Sequence, residues 1–205
     1  EVQALYNLEN TPPNTAPANL NSTAPLTIAE NQPIGTVVGE FNATDPDAGA
    51  VLTYHLVSGP GDGNNSLFTL ESNGTLKTAT TFDYESNAST YSIRVQVKDE
   101  HNATAEGNFA VLLSDLNELP SFSTPNTLSV SENSSYITTL SASDPEGENV
   151  RYSLSGGIDK DQFKVNPITG DLAFRQVQDF EAPGDANIDR QYELRVSSFA
   201  ESDAN

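Results

Sequence analysis

Cysteine, methionine and tryptophan are absent from the chain, and lysine and arginine together number 9 against 29 aspartates and glutamates. Without cysteine there is no disulfide framework, no thiolate nucleophile and no soft-metal site, and a zinc site would depend on two isolated histidines. Missing cysteine does not argue against export, because metal can staple a fold in place of disulfides. With so few cations, no basic stripe can neutralise phosphates, and a formal charge of −20 repels anionic lipid. Nucleic acid and membrane surfaces are therefore excluded as partners. No apolar run approaches the roughly 20 residues that span a bilayer. No charged-then-apolar leader opens the chain, which reads as starting inside a longer polypeptide with any targeting signal outside it.

What is present is enough to fold. Hydrophobic residues make up 36% of the 205, with 7 tyrosines and 9 phenylalanines. The segment from Leu26, LTIAENQPIGTVVGEFNATDPDAGAVLTYHL, returns from Leu128 as LSVSENSSYITTLSASDPEGENVRYSL. Later landmarks keep step, Asp83 with Asp179 and Tyr91 with Tyr192, so one module of about a hundred residues occurs twice. Apolar residues alternate with polar ones at Leu52-Tyr54-Leu56, Tyr91-Ile93-Val95-Val97, Phe109-Val111-Leu113, Val150-Tyr152-Leu154 and Tyr192-Leu194-Val196. Period two predicts half-buried strands, and clusters such as DPDAG, ESNGT, DPEGEN and NPITGD supply the turns between them. The reading is all-β: two tandem Greek-key β-sandwiches of seven strands each. Residues 1–24 read as a Pro- and Asn-rich N-terminal linker or tail, 25–118 as the first repeat and 119–205 as the second. The second copy has a last strand expected near Gln191–Ser198 and stops before any counterpart of Asn108–Ser114, so its end is expected to be a cut within a longer protein.

The acids fall in a fixed order. The first copy carries AEN (29–31), ATDPD (43–47), FDYE (82–85), VKDE (97–100) and DLNELP (115–120); the second carries SEN, ASDPE and DFE in the same order. This ordered set resembles cadherin repeats over residues 11–205, and the second copy resembles most the cadherin repeats of bacterial surface proteins. The resemblance implies calcium at the junction of successive repeats. Carried over residue by residue, the implied ligands are Glu30, Asp83 and Glu85, then Asp115, the Leu116 carbonyl, Asn117, Glu118 and the Leu119 carbonyl, with Asp144 and Glu146 from the second copy. Two or three ions are expected there. Glu118 and Glu146 stand where the family usually has aspartate. The family's acid after the sixth strand, Asp99 in the first copy, aligns with Ala200 in the second, where Glu201 or Asp203 would have to substitute. At the N-terminal end Pro12 and Thr15 replace linker acids, while Asn14, the Ala16 carbonyl, Asp45, Asp47 and Asp99 could hold one more ion. Glu132, Asp179 and Glu181 would form the lower half of a third junction, expected to be empty.

The chemistry suits the donor set. Calcium takes six to eight hard oxygens from carboxylates and carbonyls, and seven carboxylates brought close together repel one another unless a cation neutralises them. Isolated D-P-D and D-P-E are ordinarily solvated turns; their weight comes from the order. Asp45-x-Asp47-x-Gly49 is no EF-hand, since Leu56 occupies the twelfth position and no helices flank it. His55 and His101 read as structural or solvent-facing. No nucleophile elbow or phosphate loop occurs, so no enzyme is expected; a glycosidase using Asp83 and Glu85 is the best enzymatic alternative. Sequons at Asn21, Asn42, Asn64, Asn73, Asn87, Asn102 and Asn133 are expected to be chance features of an Asn- and Thr-rich sequence. The expected function is a calcium-rigidified spacer in an extracellular, cell-surface protein. EVQALYNLEN resembles the end of a concanavalin-like lectin domain, which would be the upstream neighbour. The partners are then neighbouring domains of the same polypeptide, another surface protein or a glycan. The alternatives are a carbohydrate-binding module or a self-associating adhesive one; the strand swap that inserts an N-terminal tryptophan is excluded because the chain has none.

Overall fold

A computed structural model describes residues 13–200, so EVQALYNLEN, Pro12, Glu201 and Asp203 lie outside the described residues. The chain divides into two compact units, Glu1–Leu116 and Asn117–Asn205.

In unit 1, β1 (Ala18–Ser22), β3 (Val37–Thr44), β5 (Phe68–Leu70) and β6 (Thr75–Thr78) form one sheet in the order β1-β3-β6-β5. β2 (Thr27–Ala29), β4 (Thr53–Leu56), β7 (Thr90–Lys98) and β8 (Thr104–Ser114) form the other, in the order β2-β8-β7-β4. Residues 18–22, read from sequence as linker, thus pair antiparallel with β3. The chain crosses to the other sheet after Pro25, where Ile28 lies opposite Leu113 in a parallel pairing. The first edge is one strand broken into two, each half closing a different sheet. Alternation along β7 buries Tyr91, Ile93, Val95 and Val97 and turns Ser92, Arg94 and Gln96 outward or to the margin. Those four meet Phe41, Phe68, Leu76, Phe82 and Val111 in a core of 14 buried residues.

Unit 2 repeats the plan. β9 (Ser121–Phe122) pairs with β11 (Ala142–Ser143), and β10 (Tyr136–Thr139), β14 (Asp171–Phe174) and β13 (Phe163–Val165) make a three-stranded sheet. β12 (Val150–Gly156) pairs with β15 (Arg195–Ala200). Five residues, Leu140, Tyr152, Phe163, Leu172 and Phe174, form the buried cluster. The expected last strand, Gln191–Ser198, begins instead at Arg195. Glu193 exchanges backbone and side-chain hydrogen bonds with Asp159 rather than with β12, and the register slips at Leu154/Gly156. Leu128 and Val130 are 41% and 37% exposed, whereas their counterparts Leu26 and Ile28 are buried beside β8.

Both units use one glycine device. Gly74 (φ 96°) and Gly170 (φ 75°) accept the amides of Phe41 and Leu140, and a Cβ would lie 2.6 and 2.7 Å from the Phe41 and Leu140 carbonyl oxygens. Aromatic stacking is conserved in place but not in residue. Phe82, in the segment between β6 and β7, bridges Phe68 and Tyr91 in unit 1, while Phe174, at the end of β14, bridges Phe163 and Tyr192 in unit 2.

Candidate metal-binding sites

The Glu-Asn pair at the first edge is a folding device before it is a ligand. Glu30 is completely buried; its Oε2 accepts the Tyr84 amide at 2.6 Å and its Oε1 the Leu116 amide at 2.7 Å. Asn31 follows with φ 59° and donates its amide to the Phe82 carbonyl. Asparagine tolerates this left-handed turn better than any other side chain. One carboxylate therefore ties the first edge to the FDYE segment and to the end of β8. Asp83 in that segment closes its own turn, accepting the Ser86 amide (3.0 Å) and hydroxyl (3.1 Å). Glu85, Asp115 and Leu116 are exposed.

At the other end of unit 1, four of the expected N-terminal donors come together. Asn14 donates to Asp99 Oδ2 at 2.8 Å, the Thr15 amide to Asp47 Oδ2 at 2.7 Å, and the Asp47 amide to Asp45 Oδ1 at 2.8 Å. Asp99 is 3% exposed and also receives the amides of His101 and Ala103. The hydrogen bond from Asn14, and then those amides against burial, hold its carboxyl below the usual range. Asp45 Oδ2 is buried with no hydrogen-bond donor. Ala16 is exposed. His55 contacts the Thr53 hydroxyl, and exposed His101 lies beside Glu100.

Within unit 2 the Glu118 amide donates to Glu146 Oε1 at 3.2 Å, which brings the linker acid to the turn that carries Asp144 and Glu146. Asp144 closes that turn through the amides of Gly147 and Glu148. It is 8% exposed, and its Oδ2, like Glu146 Oε2, is buried without a donor. Burial, with Glu146 alongside, raises the Asp144 carboxyl. Asn117 and Leu119 are exposed, and Ala200, standing where unit 1 has Asp99, is fully buried.

Glu132, Asp179 and Glu181 converge with carboxylate oxygens within 4.8 Å of one another. They reproduce the unit 1 geometry: Glu132 Oε2 accepts the Phe180 amide at 3.2 Å, and Asn133, again left-handed at φ 59°, donates to the Gln178 carbonyl. A backbone amide pulls the Glu181 carboxyl down, and the charges of Asp179 and Glu132 outweigh it, so the net direction is up. Sequence reasoning passed over two further buried acids, Asp159 and Asp185, at 2% and 4% exposure. The signal was available in the D-x-N-x-D spacing of Asp185, Asn187 and Asp189.

A family model for the cadherin domain matches residues 24–114 and 126–203. Human Protocadherin Fat 4 is 31% identical over 185 residues, covering 83% of this chain and 4% of that protein. Neural-cadherin of Drosophila melanogaster is 32% identical over 153 residues, covering 70% of this chain and 5% of that protein. The chain therefore spans a small fraction of the length of these curated relatives. They are animal proteins, so they lend nothing to the bacterial character read from the second copy. Among solved structures, human Protocadherin-24 EC1-2 (form II) superposes with a TM-score of 0.59 at 21% identity, covering 90% of this chain and 87% of that one. Protocadherin Gamma B2 extracellular cadherin domains 3-6 superpose at 0.51 and 22% identity, covering 89% and 48%. These likenesses establish the fold as tandem cadherin-like sandwiches.

Proposed function

The chain belongs to the cadherin family as a pair of tandem repeats of the adhesion type, and on that premise we propose that it is a calcium-dependent spacer whose junction is stiffened by bound ions. The ligands are Glu30, Asp83, Glu85, Asp115 and the Leu116 carbonyl from unit 1, with Asn117, Glu118, the Leu119 carbonyl, Asp144 and Glu146 from unit 2. Two or three ions shared among them turn successive repeats into a rod. Calcium supplies no redox or hydrolytic chemistry here; it neutralises carboxylates and fixes their positions. A further ion belongs at the N-terminal end, with Asn14, the Ala16 carbonyl, Asp45, Asp47 and Asp99. We read the module as non-enzymatic, extracellular and part of a larger surface protein, with neighbouring domains of the same polypeptide as its first partners. The solved Protocadherin Gamma B2 domains, described as extracellular, are in keeping with that location.

The observation that carries this reading is the pair of carboxylate oxygens Asp144 Oδ2 and Glu146 Oε2, buried with no donor to meet them. An unsatisfied buried acceptor costs about 1–3 kcal/mol, more when charged, and a hard cation removes that cost. Extracellular calcium modules bind at roughly 10⁻⁴ to 10⁻³ M. The test is a calorimetric count of ions on the full chain, with solution scattering in millimolar calcium. Glu118→Ala and Asp144→Ala should each lower the count and broaden the distribution of overall dimensions while both cores stay folded. Scattering profiles that overlay the parent's would remove the shared-ion reading. Sedimentation with and without calcium tests the self-associating alternative, and a glycan array the carbohydrate-binding one.

A further inference from the structure

Asp179 and Tyr192 stand thirteen residues apart, whereas their counterparts Asp83 and Tyr91 stand eight apart, so unit 2 carries a longer loop here. That loop, PGDANIDRQ, buries almost no apolar surface: Ile188 is 71% exposed. It also holds two non-glycine residues in the left-handed region, Ile188 at φ 61° and Arg190 at φ 66°. Each costs about 1–2 kcal/mol. What organises it is a carboxylate. Asp185, 4% exposed, takes the amides of Asp189 (2.7 Å) and Arg190 (3.2 Å) on Oδ2. Asp189 in turn takes the Gln191 amide on Oδ1 at 2.8 Å.

The second oxygen of Asp185 has no donor. Oδ1 is buried and unpartnered, and because it shares a carbon with Oδ2 it is held against the same loop. No ion pair to Asp185 occurs among the described residues. Arg190, the cation next in sequence, donates Nε to the Phe180 carbonyl and lies over the Phe180 ring, 4.7 Å from its centroid. Nor does the body of the unit supply a cation. The loop is anchored by Asp159, 2% exposed, which accepts the Ala186 amide on Oδ1 and the Glu193 amide on Oδ2. In unit 1, neutral Asn64 accepts the Ser92 amide. Unit 2 has thus placed two buried anions at this loop with only amides to answer them: both oxygens of Asp159 are met, Asp185 Oδ1 is not, and a buried charged oxygen without a partner is costly.

We infer that residues 185–191 form a second class of calcium site, lying wholly within unit 2, with Asp185, Asn187 and Asp189 as side-chain ligands and the Gln191 carbonyl beside them. The spacing matches the first half of the calcium loop that uses positions 1, 3, 5 and 7 and requires a sharp turn at position 6. Arg190 supplies that turn through its positive φ. Asn187 Nδ2 faces Asp189 Oδ2 at 3.0 Å; turning the amide over presents its Oδ1 to a cation instead. Exposed Glu193 falls at position 9, and position 12 is Val196 rather than a bidentate glutamate, so the ligand set is small. Binding belongs at the weak end of the range, near 10⁻³ M. The site would fix the insertion, and with it the approach to β15, independently of what happens at the repeat junction.

The experiment is a calcium chloride titration of the full chain carrying Glu118→Gln and Asp144→Asn, followed by amide resonances in ¹⁵N-labelled protein. Those two changes weaken the junction ligands proposed above, so failure of that proposal and failure of this one read separately. The expected result is a saturable shift of the Asn187, Asp189 and Gln191 amides up to about 10 mM calcium. Asp189→Asn, at an exposed position, should weaken it at least tenfold, with the Phe163 and Leu172 amides unmoved to report an intact core. Asp185→Asn should abolish it, provided those core signals persist. No saturable shift, or an unchanged one in Asp189→Asn, overturns the inference.

Discussion

Glu30 is the residue on which fold and site depend together. Two backbone amides, those of half-buried Tyr84 and exposed Leu116, end on its carboxylate, and each would lose its acceptor in Glu30→Ala at about 1–3 kcal/mol. The expected destabilisation of unit 1 is therefore about 2–6 kcal/mol even in the presence of a chelator, measured by urea unfolding. A loss seen only when calcium is present would mean that the side chain serves the metal alone. The sequence displayed Glu30 and Asn31 as a recurring pair, and the pair recurs at Glu132 and Asn133 with the same left-handed asparagine. It did not display that the glutamate reaches residues 54 and 86 positions away, because an acceptor's partners are set by the closed sandwich. For Asp185 the reverse holds: its spacing to Asn187 and Asp189 is plain in the sequence, but only burial distinguishes it from a solvated turn.

At the scale of elements, the β7–β8 hairpin was the most legible part of the chain. Its alternation runs unbroken from Tyr91 to Val97, and that face is the centre of the core. The outer face carries a charge cluster. Gln96 lies directly opposite Glu106 and donates to it at 2.7 Å, and Arg94 donates through Nε and Nη2. Gln96 first and Arg94 second hold the Glu106 carboxyl below its usual range. Its folded value is thus below the unfolded one, near 4.3. The stabilisation is fully present above the unfolded value and is lost as pH falls through the folded one. Glu106→Gln should lower the urea midpoint at pH 7 more than at pH 3. Equal losses at both pH values would show that the group contributes packing and not charge. The elements that sequence misplaced are those whose partners are not local. β1 looked like linker because its residues are mostly polar and its pairing partners in β3 lie 19 to 26 residues away. β15 starts late because Asp159 captures Glu193.

On the scale of the whole molecule, the two units have core clusters of unequal size among the described residues, 14 buried apolar residues against five. Hydrophobic stabilisation scales with the area removed from water, and a chain of two cores need not unfold in one step. Calorimetry in chelator should show two transitions, the lower accompanied by loss of the Phe163 and Leu172 amide signals and the upper by loss of those from Ile93 and Val111. One sharp transition taking all four signals together would contradict this. Calcium should raise the lower transition, since any ion bound only by the native state stabilises it in proportion to ln(1 + [Ca²⁺]/Kd). By itself the sequence determined the repeat, the strand class, the order of the acids and hence the family, because periodicity and spacing are properties of the chain before it folds. Tertiary structure alone decided which oxygens are left without donors. Asp45, Asp144, Glu146 and Asp185 each keep a buried oxygen with no donor, whereas buried Glu30 and Asp159 have both oxygens met by amides; that difference is settled only when distant strands close over a site and exclude the water that would otherwise satisfy it.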